Sequence, residues 1–192
     1  MRKIEEFNIA LSEDEKASKK KSKSSINVFE IFEAIVAALV VVTIVFLFCF
    51  RVFNVAGPSM RPTLEDGDKV VVSTIGYNPK QGDIIVLSGT DGLKKPIVKR
   101  VIAVEGDVVD INFTTGVVTV NGKEESYSDE LTNQQADIAF PITVPEGTVF
   151  VLGDNRDVSL DSRSSRVGCV DERMIVGKVL FRFFPIGDWK VD

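Results

Sequence analysis

Three short segments of the 192-residue sequence gather residue types that could do chemistry. The first, Gly57-Pro58-Ser59-Met60-Arg61-Pro62-Thr63-Leu64, sets a serine between two prolines. Proline fixes its own φ and restricts the residue before it, so the Ser59 hydroxyl has few directions open to it, as a nucleophile requires. The same segment also reads as a rigid turn. The second segment, Pro96 to Val104, carries Lys99 and Arg100 side by side in an apolar run. On a strand the two face opposite sides, so one cation must occupy whichever face is buried. A desolvated lysine sheds its proton near neutral pH and becomes a base, whereas arginine does not. Lys99 is therefore expected to titrate well below the ordinary value of about 10.4. The other reading is an edge strand whose lysine reaches water along its own stem. The third segment, Gly153 to Arg163, is a polar loop dense in carboxylates and guanidiniums. It lacks the Gly at the sixth position and the Glu at the twelfth that an EF-hand calcium loop needs, counting from Asp154, so no metal is expected there.

Composition narrows the chemistry further. The sequence holds no histidine and two cysteines, Cys49 and Cys169. Ser-His-Asp and Cys-His catalysis, histidine-ligated metals and four-thiolate zinc sites are all excluded. Proton transfer must fall to carboxylates, tyrosine or a lysine of lowered pKa. The net charge of -5 lacks the basic footprint of a nucleic-acid binder, and neither a cofactor nor a nucleic-acid partner is expected.

The elements that must position these residues follow from how the apolar residues are spread. Residues 1–30 are mostly polar, with Lys16, Lys19, Lys20, Lys21 and Lys23 among serines, and read as a disordered tail. Residues 31–51 are expected to form a transmembrane anchor: Ala34 to Phe50 carries no charge, and at about 1.5 Å per residue Ile31 to Phe50 spans roughly 30 Å. The run is longer than the core of a cleaved secretory signal and starts too far into the chain. Lysines crowd the side before it, while Arg51 and Arg61 are the nearby basic residues after it, so the N-terminus is assigned to the cytoplasm and the rest outside. Residues 52–192 read as a mainly β domain. Strands are expected over Lys69 to Thr74, Asp83 to Leu87, Ile97 to Val104, Val108 to Asn112, Gly116 to Val120, Thr148 to Leu152 and Met174 to Phe184, separated by Gly-Asp and Asn-Gly turns. Glu124 to Asp137 is expected to be an exposed loop. Phe181, Phe183, Phe184, Pro185, Ile186 and Trp189 form an aromatic-rich end with two readings, core packing or insertion at a membrane interface. Ser59 lies eight residues past Arg51, at most about 26–29 Å from the membrane edge if fully extended.

Taken together, the segments resemble bacterial type I signal peptidases, of the shorter single-anchor form. The resemblance rests on Ser59 within Gly-x-Ser-Met-x-Pro-Thr-Leu, Gly82-Asp83-Ile84-Ile85-Val86, Lys99 within Val-Lys-Arg-Val-Ile-Ala-x-x-Gly-Asp, and Gly-Asp-Asn-Arg-x-x-Ser-x-Asp-Ser-Arg, in order between Val55 and about Val179. It implies a signal-peptidase-like β-fold and a serine endopeptidase that removes signal peptides from secretory preproteins. It implies Ser59 as nucleophile and Lys99 as general base, with Ser159 hydrogen-bonded to the lysine and orienting it. Asp161 and Arg163 would form an ion pair holding the loop. The Ser59 backbone amide would donate to the oxyanion. Some family members add a hydroxyl two residues before the nucleophile, where this chain has Gly57. Cleavage after small residues implies shallow pockets, for which Met60 and Val98 are the expected linings. Two other readings differ in class: a self-cleaving repressor, which would need a DNA-binding domain where the anchor stands, and an anchored, non-catalytic β-domain that scaffolds secretion partners. The oligomeric state is not encoded in any motif.

Overall fold

Short runs of Val and Ile bounded by Gly, Asp and Asn build this chain almost entirely from β-strands, because branched side chains pack well on a pleated surface and the turn residues end each run. The computed structural model describes residues 28–89, 95–187, 189 and 191. Two compact units divide the chain, 1–45 and 46–192. A helix, α1 (Val28–Cys49), has a mean hydropathy of 2.9 in its most apolar stretch and buries none of its residues. The strands are β1 (Phe50–Asn54), β2 (Lys69–Ser73), β3 (Ile84–Leu87), β4 (Ile97–Val104), β5 (Val108–Asn112), β6 (Val117–Val120), β7 (Lys123–Glu124), β8 (Ile142–Thr143), β9 (Thr148–Leu152), β10 (Val170–Asp171) and β11 (Ile175–Phe184). Apart from α1, the only helix among the described residues is a 3-10 turn at Glu172–Met174.

Seven strands form one antiparallel sheet in the order β1-β2-β11-β3-β4-β9-β10, and four form a second in the order β7-β6-β5-β8. Strand β11 lies between β2 and β3, and β4 between β3 and β9. The large sheet is covered on both faces. Ile84, Val86 and Val98 pack with Met60, Leu64, Val70 and Val72, whereas Ile85, Leu87 and Val101 pack with Val149 and Val151. Ile102, Phe150 and Leu152 pack with Val109, Ile111, Val118 and Val120 of the small sheet. Asn121-Gly122, both at positive φ, makes the two-residue turn between β6 and β7.

The mainly β expectation holds, and all seven expected strands are present. Four more are β1, β7, β8 and β10. β1 takes Phe50 and Arg51 out of the expected 31–51 anchor: the helix stops at Cys49, and Phe50 and Arg51 pair with Ser73 and Val72. An unbroken apolar run gives no sign that a strand partner waits beyond it. Of the expected 1–30 tail, residues 1–27 lie outside the described residues, while Val28 to Glu30 are helical. Glu124 to Asp137 is not simply exposed, since the side chains of Glu125 and Thr132 are buried.

At Gly177 in β11 the backbone runs so close to β2 that an added Cβ would meet the Ser73 carbonyl and the Val72 side chain. Gly177→Ala is expected to destabilise the protein by about 1–3 kcal/mol, read as a lower denaturation midpoint with an unchanged denaturant slope.

Candidate active site

The turn carrying Ser59 is pinned from below by apolar burial. Met60 and Leu64 point into the core, Arg61 N–H donates to the Pro58 carbonyl at 3.1 Å, and Leu64 N–H donates to the Met60 carbonyl at 2.9 Å. Ser59 itself stays half-buried. Beside it rises Lys99 from the middle of β4, opposite Ile85 of β3. Nζ of Lys99 and Oγ of Ser59 are hydrogen-bonded at 2.7 Å, within reach for direct proton transfer. Lys99 is only 3% exposed. Burial pushes its amine down from the ordinary 10.5 to about 8, with the Arg163 guanidinium acting in the same direction and the carboxylates of Asp161 and Asp154 opposing. An amine relieved of its extra proton can accept from the serine hydroxyl, so the pair is suited to activating an alkoxide nucleophile.

Both neighbouring cations are buried, not one of the two. Arg100 is as enclosed as Lys99 because it has its own carboxylate: Nε and Nη2 donate to the two oxygens of Asp154 at 2.8 and 2.7 Å. The Thr63 hydroxyl donates to the same carboxylate at 2.5 Å. Asp154 therefore ties the lysine's strand to the serine's turn, and the Tyr127 ring lies 5.9 Å from the Arg100 guanidinium. This link was not read from the sequence, where Arg100 and Asp154 lie 54 residues apart and no local spacing marks the pair. The Gly153-Asp154-Asn155-Arg156 run was the only available hint.

The remaining site residues take mixed places. Asp161 and Arg163 form the expected ion pair, bonded at 2.8 and 3.0 Å. Asp161 also accepts from the Gly153 amide, while Arg163 donates to the Arg156 carbonyl at 2.7 Å and the Gln134 carbonyl at 3.1 Å. Oγ of Ser159 is buried but has no hydrogen-bond partner, so the bond to Lys99 implied by the resemblance is not formed here. The Gly57 amide donates to Asp66 at 2.7 Å and is thus committed. Met60 and Val98, expected to line substrate pockets, sit in the core at 1% and 8% exposure. On β4 the alternation of successive residues turns Val98 to the opposite face from Lys99, while Met60 is directed inward by the turn that follows Ser59.

Residues 28–184 match the family described as signal peptidase, peptidase S26. Signal peptidase I of Bacillus licheniformis is 35% identical over 187 residues, covering 91% of this chain and 96% of that protein. Signal peptidase IB of Staphylococcus aureus (strain MRSA252) is 37% identical over 179 residues, covering 83% and 91%. A crystal structure of a signal peptidase I from Enterococcus faecalis aligns at a TM-score of 0.44 with 29% identity, over 54% of this chain and 97% of that one.

Asp154→Ala leaves the Arg100 charge buried without its partner and is expected to cost about 3–5 kcal/mol of stability. Thr63→Val removes one hydrogen bond to that charged carboxylate and should cost less, about 1.5–3 kcal/mol. Chemical denaturation of the two variants side by side measures the contrast.

Proposed function

Since the chain belongs to the peptidase S26 family of signal peptidases and removes signal peptides from preproteins, we propose that it does so with Ser59 as nucleophile and Lys99 as general base. Oγ of Ser59 attacks the scissile carbonyl while neutral Lys99 takes the hydroxyl proton. The resulting ammonium returns that proton to the departing amine, leaving an ester on Ser59. Water then attacks the ester as Lys99 takes one of its protons; the lysine passes that proton to Oγ of Ser59 as the acyl–oxygen bond breaks, and the acid product leaves and ionises. The Ser59 amide donates to the oxyanion in both steps. Ser159 packs at Gly153 next to the Ser59 carbonyl, and Asp161 with Arg163 stiffens the loop that carries it. The observation that carries this reading is the 2.7 Å bond between a half-open serine and an enclosed lysine. The scaffold alternative is not favoured, because the chain's relatives are peptidases.

The same reading makes α1 the membrane anchor, with the lysine-bearing N-terminal side in the cytoplasm and residues 52–192 outside as the peptidase domain. It also gives a role to the aromatic end of the chain. Phe183, Phe184, Ile186 and Trp189 are exposed, Phe181 and Trp189 stack at 6.3 Å, and Lys69 Nζ lies 5.6 Å from the Phe184 ring. Exposed aromatics beside a lysine suit the boundary between acyl chains and phosphate headgroups better than they suit a core. The lipid bilayer is thus the second partner, alongside the signal peptide.

Ser59→Ala and Lys99→Ala should each abolish cleavage of a preprotein, and wild-type turnover in either variant would overturn the dyad. Lys99 is effective only when neutral, so kcat/KM should climb with pH and reach half its plateau near pH 8, where the amine gives up its charge. Trp189 is the sole tryptophan of the sequence. In bilayers its emission should be blue-shifted and quenched by brominated lipid; emission typical of water, with no quenching, would remove lipid contact from the reading.

A further inference from the structure

Beyond the Arg163 bond to the Gln134 carbonyl, the segment that crosses from β7 to β8 grips the site loop by a second buried guanidinium. Arg156 is 2% exposed, and its donors are distributed over two parts of the chain. Nη2 bonds Glu125 Oε2 at 2.8 Å and Nη1 bonds Thr132 Oγ1 at 2.9 Å, both on the crossing segment. Nε bonds the Gly153 carbonyl at 3.1 Å. The crossing segment adds two more contacts: Glu130 accepts from the Arg156 amide at 3.0 Å, and the Ser128 hydroxyl donates to the Asp154 carbonyl at 2.9 Å.

The grip reaches the reacting serine in one step. Asn155, next to Arg156, donates its amide to the Ser59 carbonyl at 3.1 Å. Gly153 is packed so closely that a Cβ there would strike the Ser59 carbonyl and the Ser159 side chain. The crossing segment is itself seated on the small sheet, with Thr132 N–H bonded to the Gly116 carbonyl at 2.8 Å. A buried guanidinium with one carboxylate depends on it: without that partner the charge must find water, and the loop bearing it must move.

From this chain of contacts we infer that Glu125 and Thr132 are positioning residues for the hydrolysis, fixing residues 153–156 against Ser59 through Arg156. The inference rests on the Ser59–Lys99 reading. Lys99 gives it a distinctive readout. The charged groups acting on that amine are Asp154, Asp161 and Arg163, all on the gripped loop, and the largest influence on it is burial. Loosening the loop admits water to the amine and raises its pKa, because the hydration regained outweighs the weakened carboxylates.

The test uses the full-length protein in bilayers with a fluorogenic preprotein peptide. Glu125→Gln keeps the shape and removes the charge; Thr132→Val removes one neutral bond. Glu125→Gln should lower kcat at least tenfold with KM within about twofold, and the rise of kcat/KM should move to higher pH. Thr132→Val should do the same to a smaller degree, and it carries the test if Glu125→Gln does not fold. A folded variant with wild-type kcat overturns the inference. So does a variant that loses activity and thermal stability together while its pH profile stays in place, since that is a purely structural role. Ser59→Ala and Lys99→Ala run in the same assay: turnover surviving in them would sink the dyad instead, whatever Glu125 does.

Discussion

A lysine amine enclosed in the middle of a β-sheet and bonded to a serine hydroxyl is the arrangement that the rest of this molecule must sustain. Burying an ammonium is costly, and the fold answers by letting the amine titrate near pH 8 instead of surrounding it with compensating charge. Two carboxylates stand close enough to favour the charged form, Asp161 and Asp154. Each is claimed by an arginine of its own, Arg163 and Arg100, at 2.8 and 2.7 Å. The pairing keeps both acids satisfied without handing either to Lys99. Removing either guanidinium would leave its carboxylate unpaired and free to act on the Lys99 amine, favouring the charged form.

Buried arginines therefore do here what a packed apolar loop could not. Arg100, Arg156 and Arg163 are all nearly inaccessible and each makes three or more bonds, several to backbone carbonyls. The planar fork of the guanidinium suits this because one side chain can satisfy acceptors from several segments at fixed angles. The catalytic loop has almost no regular secondary structure, yet it is tied to β4 by Arg100, to the β7–β8 crossing by Arg156 and Arg163, and to the serine's turn by the bond of Asp154 with Thr63. Its rigidity is electrostatic and geometric, and it is laid over a sheet whose stiffness is hydrophobic.

This division explains what could be read from the sequence. Strands with several branched residues between strong turns were legible, down to β5 and β6 in the middle of the small sheet. The two-residue strands β7, β8 and β10 were not, since a pairing so short leaves no periodicity. The serine and the lysine stood out because proline bracketing and a cation in an apolar run are local anomalies. The ion pairs did not, because Arg100 with Asp154 and Arg156 with Glu125 join residues 54 and 31 positions apart. Glu125 looked like one more acid in a solvated loop, and only the buried guanidinium beneath it distinguishes it. Met60 and Val98, chosen for closeness in sequence to the reactive pair, belong to one buried cluster, a packing relation that no spacing in the sequence displays.

The order of strands carries one more consequence. β11, the last strand along the chain, occupies an interior place in the large sheet, hydrogen-bonded on one side to β2 and on the other to β3. During synthesis the serine and lysine are made long before the strand that joins the two halves of the sheet beneath them. A nascent chain has an open slot there, wet on both sides, where the dry floor under β3 and β4 should be. A partly made chain therefore holds the residues of the dyad before it holds the strand that closes the sheet between β2 and β3.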